Sequence, residues 1–284
     1  MTTVHTPTQQ HTTENRIPMH LLSNDHLSVA LDDGVLTATL RRSDVGNGMD
    51  RVLADSLTSF AHDVVEGAEV GSVRVAVIRN EGFGFCVGGD LAHFSNATDL
   101  PAELQYVAET IHEAIKVLIA APVPLVTVID GVAAGGGVGL ALAGDIVIGT
   151  PATKFKMSYT SVGLSPDCGG SWFLTQRVGL GRALEITLTD RTVGAEEAER
   201  IGLVAPVSPP EADLDDTVRA VTARLAAMGT DSLGTTKRLL RSSVTTELAD
   251  HLDEEARQIT RLSATADAAE GVRAFFEKRR PAFR

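Results

Sequence analysis

IDGVAAGGGVGLALAGDIVI, residues 129–148, joins two strand-like runs through a turn that holds three consecutive glycines. VPLVTVID (123–130) and IVIG (146–149) are rich in β-branched residues, which favours buried strands. A glycine in a helix costs about 1 kcal/mol relative to alanine, so Gly135–Gly137 require a physical reason. One reason is close packing of a helix on a sheet. The other is a set of backbone N–H groups that point at a ligand.

The segments on either side of this turn alternate between strand and helix patterns. LSVAL (27–31) and VLTATL (35–40) flank Asp32–Gly34 and predict a β-hairpin. Further patterns predict a buried strand at 73–80 and helices at 50–66 and 101–120, two short helices within 182–203, and helix throughout 211–279. The alternation predicts an α/β fold with parallel strands and right-handed crossovers.

Composition excludes several classes of protein. The 284 residues are 43% hydrophobic and 22% charged, which rules out global disorder. A formal net charge of −12 argues against a nucleic-acid partner. Cys86 and Cys168 are too few for a disulfide framework or a paired-cysteine zinc site. Residues 1–18 are expected to be a disordered tail without a signal peptide, and no apolar run suits a membrane span, so we expect a cytoplasmic protein.

A second glycine-rich turn, FGFCVGGD (83–90), follows the strand predicted at 73–80. Together with the triple-glycine turn it suggests an oxyanion hole built from two separate loops. Each N–H donor of such a hole contributes about 3–4 kcal/mol to a transition state.

Five motifs, in order, resemble those of the enoyl-CoA hydratase/isomerase, or crotonase, superfamily. They are RRSDVGNGMD (41–50), GFCVGGDL (84–91), the glycine-triple stretch (129–148), KFKMSYTSVGLSPDCGG (154–170) and GVRAFFEKRRPAF (271–283). The resemblance implies a crotonase-like spiral of ββα turns, acyl-CoA substrates, a place in fatty acid metabolism, and homotrimers or hexamers. We accordingly expect a tail (1–18), a crotonase core that binds acyl-CoA (19–206) and a C-terminal helical trimerisation region (207–284).

The resemblance also implies roles for individual residues. Gly89 and Gly136 supply the oxyanion N–H groups, and Asp167 is the catalytic base. No metal or separate cofactor is implied, because CoA arrives as part of the substrate. The implied substrate-binding residues are Ser43, Val45, Gly88, Asp90, Leu91, Ala92, Gly135, Tyr159, Trp172 and Lys278.

Both glutamates that hydratases of this superfamily use are missing, since their positions are Gly139 and Tyr159. Restoring both glutamates is expected to introduce weak hydration. Asp167 is compatible with a helix N-cap or with a base, and the resemblance to Asp-dependent acyl-CoA isomerases favours the base. One carboxylate that moves a proton from C2 to C4 suffices for an isomerase, so this activity is expected.

Other functions remain as alternatives. A hydratase or lyase could use Asp167 alone, and a halobenzoyl-CoA-type dehalogenase could use it as a nucleophile. The dehalogenase also needs a histidine base, for which His93 is a weak candidate and His112 does not fall at the expected position. A non-catalytic member would bind acyl-CoA or RNA. Lys237, Arg238 and Arg241 are expected to form an exposed basic strip that reaches a CoA phosphate.

Overall fold

The computed structural model describes residues 21–205, 208–209 and 213–283. The predicted tail (1–18) and the predicted boundary at 206/207 lie outside these ranges. Within them the strands are β1 (Leu27–Asp32), β2 (Val35–Leu40), β3 (Val75–Asn80), β4 (Gly84–Cys86), β5 (Leu125–Ile129), β6 (Val132–Ala134), β7 (Ile146–Gly149), β8 (Lys154–Lys156) and β9 (Val193–Gly194).

The α-helices of the described residues follow the predicted helical segments closely. They are α1 (Arg51–Glu69), α2 (Leu91–Ser95), α3 (Leu100–Ala120), α4 (Gly136–Leu142), α5 (Gly170–Val178), α6 (Leu180–Leu188), α7 (Ala195–Arg200), α8 (Leu214–Ala226), α9 (Thr230–Ser242), α10 (Leu248–Ser263) and α11 (Ala266–Phe276). Among these residues no helix is both long and apolar enough to cross a bilayer.

The larger sheet confirms the predicted α/β class. Its order is β1-β2-β3-β5-β7, and its strands are parallel apart from the β1–β2 hairpin. In the hairpin Asp32 pairs with Val35, and both turn residues, Asp33 (φ 45°) and Gly34 (φ 78°), are left-handed. That conformation matches the twist of a two-residue hairpin turn.

Helices α1 and α3 close one side of the core. Asp50 caps α1 by accepting a hydrogen bond from the Leu53 N–H at 2.9 Å, and α3 ends just before Pro122. The helices predicted at 50–66 and 101–120 bury apolar residues in the core, with Leu53, Leu57, Phe60, Val64, Val107, Ile111, Ile115 and Leu118 among its members. Val52, expected on the same apolar face, is 46% exposed.

A second, smaller sheet was not predicted. Its order is β4-β6-β8-β9, and its strands have only two or three residues, too few to show a periodicity. Strands β4 and β6 are parallel neighbours, with Gly84 paired to Val132. The glycine turns that follow these two strands therefore begin at the same edge of the sheet.

The C-terminal helices α8–α11 carry a broad exposed apolar surface. Its exposed members include Leu240, Val244, Leu248, Leu252, Ile259, Val272, Phe275 and Phe276. Such a surface is typical of an interaction site. The association into trimers or hexamers stays a prediction.

The expected basic strip on α9 is wrong for two of its three members. Lys237 is only 8% exposed, and its Nζ donates to the carbonyl oxygens of Leu118 (2.9 Å) and Val123 (3.0 Å). It also pairs with Asp145 at 3.1 Å, and Arg241 pairs with the same carboxylate at 2.6 Å. These two cations attach α9 to the core. Their partners are groups of this chain, not a CoA phosphate.

Replacing Lys237 with methionine tests this attachment. Lys237→Met keeps the length of the side chain but leaves two buried carbonyls without their donor and Asp145 with one cation. We expect the free energy of unfolding to fall by about 2–4 kcal/mol. Denaturant unfolding of Lys237→Met and of Lys116→Met, whose lysine side chain is 70% exposed, measures the difference. Equal midpoints for the two variants would contradict the assignment.

Candidate active site

The two glycine-rich turns touch each other. Gly88 (φ 91°) and Gly135 (φ 51°) both occupy the left-handed region that favours glycine. A Cβ on Gly88 would lie 3.0 Å from the carbonyl oxygen of Ala134 and 3.2 Å from the nitrogen of Gly136. Any larger residue would separate the turns, so these glycines are required for a close approach of two backbones.

The N–H groups of Gly89 and Gly136 do not take part in the backbone hydrogen bonds around them. Gly136 is the first residue of α4, and a first-turn N–H has no acceptor within its own helix. Met49 donates to the Gly88 carbonyl at 2.7 Å and accepts from the Asp90 N–H at 2.9 Å. This parallel bridge directs the N–H of the intervening Gly89 away from Met49. Both glycines line one cavity.

A buried ion-pair network fixes the turn that carries Gly89. Asp90 accepts from the His93 N–H at 3.0 Å, which caps α2, and from Arg42 Nη2 at 2.8 Å. Arg42 Nη1 also pairs with Asp50 at 2.8 Å. Burial alone would raise the pKa of Asp90, but the hydrogen bonds from His93 and Arg42 outweigh it and lower that pKa. Although Asp90 lines the cavity, its carboxylate serves this network.

Asp167 lies beside the triple-glycine turn that carries Gly136. The hydroxyl of Tyr159 donates to its Oδ1 at 2.5 Å, and a Cβ on Gly136 would be 3.5 Å from the same oxygen. Helix α5 begins at Gly170 with Gly169 as its N-cap and has no side-chain cap. The helix-cap interpretation of Asp167 is therefore wrong.

Tyr159 is a hydrogen-bond donor rather than a proton acceptor. Its side chain is buried, with 8% of the residue exposed. Burial, the adjacent Asp167 and the Cys168 thiol raise the pKa of the phenol far above its ordinary value. The phenol stays protonated at neutral pH and holds one oxygen of the carboxylate.

His112 also reaches this site, which its position in the sequence did not indicate. Its Nε2 accepts a hydrogen bond from the Cys168 N–H at 2.9 Å. The ligand-type atoms of His112, Asp167 and Cys168 lie within 4.8 Å of one another, the spacing of a potential metal site among the described residues. Burial raises the pKa of the Cys168 thiol, so it is protonated, and Nε2 is already an acceptor. A metal ion bound here would have to replace the proton of the Cys168 thiol and break the hydrogen bond to His112 Nε2.

The cavity has a volume of about 720 Å³ and gathers most of the predicted site. The predicted residues that line it are Val45, Gly89, Asp90, Leu91, Gly135, Gly136, Tyr159 and Asp167. Its lining also has an apolar part, which includes Met49, Phe94, Leu104, Val107, Ala108, Val162 and Leu164. This lining suits the acyl part of a thioester.

Five predicted substrate contacts lie outside the lining of this cavity: Ser43, Gly88, Ala92, Trp172 and Lys278. Gly88 packs against the Cα of Gly135. Lys278 is exposed beyond the end of α11. The prediction for Trp172 is corrected, because α5 directs this 45% exposed ring into a different cavity of about 380 Å³ beside α9.

The position of the first missing glutamate is filled by backbone. A Cβ on Gly139 would overlap the carbonyl oxygen of Cys168 and approach the nitrogen of Gly170 to 3.0 Å. A glutamate cannot enter there without moving the segment that carries Asp167. Restoring hydration through residue 139 would therefore require this segment to move, and the expected weak hydration stays a prediction.

Comparisons with known proteins agree with this geometry. The family model for enoyl-CoA hydratase/isomerase matches residues 31–284. A probable enoyl-CoA hydratase of Rhodobacter capsulatus is 34% identical over 89% of this chain and 95% of its own length. The 1,2-epoxyphenylacetyl-CoA isomerase of Escherichia coli is 35% identical over 89% and 96%. The crystal structure of an enoyl-CoA hydratase from Polaromonas superposes with a TM-score of 0.84 at 28% identity, covering 91% of this chain and 99% of that one. The chain belongs to the enoyl-CoA hydratase/isomerase family.

Proposed function

We propose that the protein is an acyl-CoA isomerase that moves a double bond through a thioester enolate, with Asp167 as its base. The observation that carries the proposal is the carboxylate of Asp167, which lies next to Gly136 while the Gly139 position is closed by backbone. Of the two carboxylates among the described cavity residues, Asp90 is tied to Arg42. Asp167 is left to exchange protons with a substrate.

The reaction needs one base that acts twice. Oδ2 of Asp167 takes the C2 proton of a 3-enoyl thioester. The C–H electrons form a second bond between C1 and C2, and the π electrons of the C1–O double bond move onto the oxygen to give an enolate. The thioester oxygen gains the negative charge and accepts hydrogen bonds from the Gly89 and Gly136 N–H groups. When the carbonyl re-forms, the C1–C2 π electrons become the C2–C3 double bond, and the former C3–C4 π electrons bind the proton that Asp167 returns to C4.

Tyr159 determines which oxygen of Asp167 does this work. Its hydroxyl donates to Oδ1, so the proposal assigns the proton transfer to Oδ2. A hydratase needs acid and base groups around one water molecule, and a phenol at this position replaces one of its two glutamates. The contact between Tyr159 and Asp167 therefore favours isomerisation over hydration.

The alternatives receive less support. Relatives of this chain carry both hydratase and isomerase names, so names do not separate the two activities. The dehalogenase alternative needs a histidine base near the nucleophilic carboxylate. His112 is close to Asp167, but its Nε2 is committed to the Cys168 N–H.

The substitution Asp167→Asn tests the base directly. It removes the proton acceptor with little change in shape, so turnover of a 3-enoyl-CoA should fall about 100-fold or more, while KM changes little. Asp213→Asn is the matched control, because Asp213 only caps α8 through the Asp215 N–H and asparagine caps as well. Steady-state assays of both variants measure the effect. An Asp167→Asn enzyme that keeps turnover within about threefold would refute the assignment, since a general base contributes far more.

A methyl group at Gly139 tests the backbone contact behind Asp167. Gly139→Ala should lower the free energy of unfolding by about 1–3 kcal/mol through overpacking and should reduce turnover by displacing Cys168. Gly181→Ala is the control, because a Cβ on Gly181 of α6 meets nothing within 4 Å. The thermal midpoints of the two variants should shift in opposite directions, since alanine stabilises an unobstructed helix, and turnover should fall only in Gly139→Ala. A Gly139→Ala variant as stable and active as Gly181→Ala would show that position 139 has room.

A further inference from the structure

We propose that His112 is a positioning residue for Asp167, a role that rests on the proposed function of that carboxylate. The imidazole acts on the backbone next to Asp167 rather than on the substrate. The two partners are 56 positions apart in the chain and belong to different elements.

The peptide after Asp167 has an unusual conformation. Cys168 has a φ of 50°, in the left-handed region that non-glycine residues rarely adopt. The residue is 2% exposed, so its N–H has no access to water. His112 Nε2 accepts this N–H at 2.9 Å. The hydrogen bond satisfies a buried donor and holds the Asp167–Cys168 peptide plane in place.

Asp167 is thereby held at both ends. The Tyr159 hydroxyl fixes its Oδ1 at 2.5 Å, and the His112 bond fixes the peptide that follows its Cα. Its own carbonyl accepts from the Gly170 N–H at 2.8 Å, which closes the turn. If the His112 bond is lost, the peptide can rotate and take the carboxylate away from Gly136. A displacement of about 1 Å can cost a rate factor of about 100.

The hydrogen bond also defines the state of the imidazole. Because Nε2 accepts, the ring proton is on Nδ1 and the ring is neutral. The lone pair of Nε2 is occupied and cannot take a proton from a substrate at the same time. His112 therefore acts through Asp167.

Helix α3 connects this role to substrate binding. Leu104, Val107 and Ala108 of the same helix line the apolar part of the cavity. One rigid helix thus places both the acyl chain and the acceptor that orients the base. The distance from the C2 carbon to Asp167 then depends on α3 as a unit.

Two substitutions separate this role from simple packing. His112→Leu keeps bulk but removes the acceptor, whereas His112→Gln retains a side-chain oxygen that can accept from the Cys168 N–H. We expect kcat of His112→Leu to fall about 10- to 100-fold with KM within about threefold of wild type. His112→Gln should recover most of kcat. In crystal structures, the Asp167–Tyr159 hydrogen bond should be broken or displaced in His112→Leu and kept in His112→Gln.

Specific outcomes would overturn the proposal. One is a His112→Leu enzyme with wild-type kcat and an unmoved Asp167. Another is a His112→Gln enzyme that keeps the Cys168 bond and is as impaired as His112→Leu, which would assign the imidazole to the chemistry itself. If the wild type isomerises no acyl-CoA, the proposed function fails, and the position of Asp167 in the two crystal structures still decides the role of His112.

Discussion

Direct contact between two glycine turns is the constraint on which the rest of the site depends. A side chain on Gly88 would press on the second turn, and both Gly88 and Gly135 have the left-handed φ that favours glycine. Their contact brings the N–H groups of Gly89 and Gly136 to one cavity. The short parallel pairing of β4 with β6 brings the turns to the same edge, and the Arg42–Asp90 pair fixes one of them. Much of the surrounding architecture therefore serves to bring two backbone donors to one cavity.

The position of Asp167 follows from the segment that packs against α4. The Cys168 carbonyl occupies the space of a side chain at Gly139, and the same segment places Asp167 near Gly136. One segment therefore both fills the space beside Gly139 and carries the Asp167 carboxylate. Tyr159 completes it, because a phenol that stays protonated can hold a carboxylate but cannot activate water as a glutamate does.

Local signals in the sequence predicted the long elements well. The hairpin at Asp33–Gly34 and the amphipathic helices follow from turn chemistry and helical spacing, and the parallel pairing in the larger sheet follows from strand–helix alternation. The smaller sheet was missed because its strands are too short to show a period. The resemblance correctly indicated that the two glycine turns belong to one site.

Contacts between distant residues could not be predicted. His112 meets Cys168 across 56 positions, and no local spacing links them. Lys237 is spaced on α9 like an exposed cation, yet its Nζ is buried against two carbonyls of the core. Burial of this kind depends on how the C-terminal helices pack, which a pattern of apolar residues does not specify.

Enolisation without isomerisation tests the central claim most directly. A saturated acyl-CoA has no double bond to move, but its C2 proton can still be removed by Asp167 while the oxyanion hole stabilises the enolate. The account predicts that the wild-type protein in D2O incorporates deuterium at C2 of such a thioester, detected by mass spectrometry. The absence of exchange across saturated acyl-CoAs that bind the protein would contradict it.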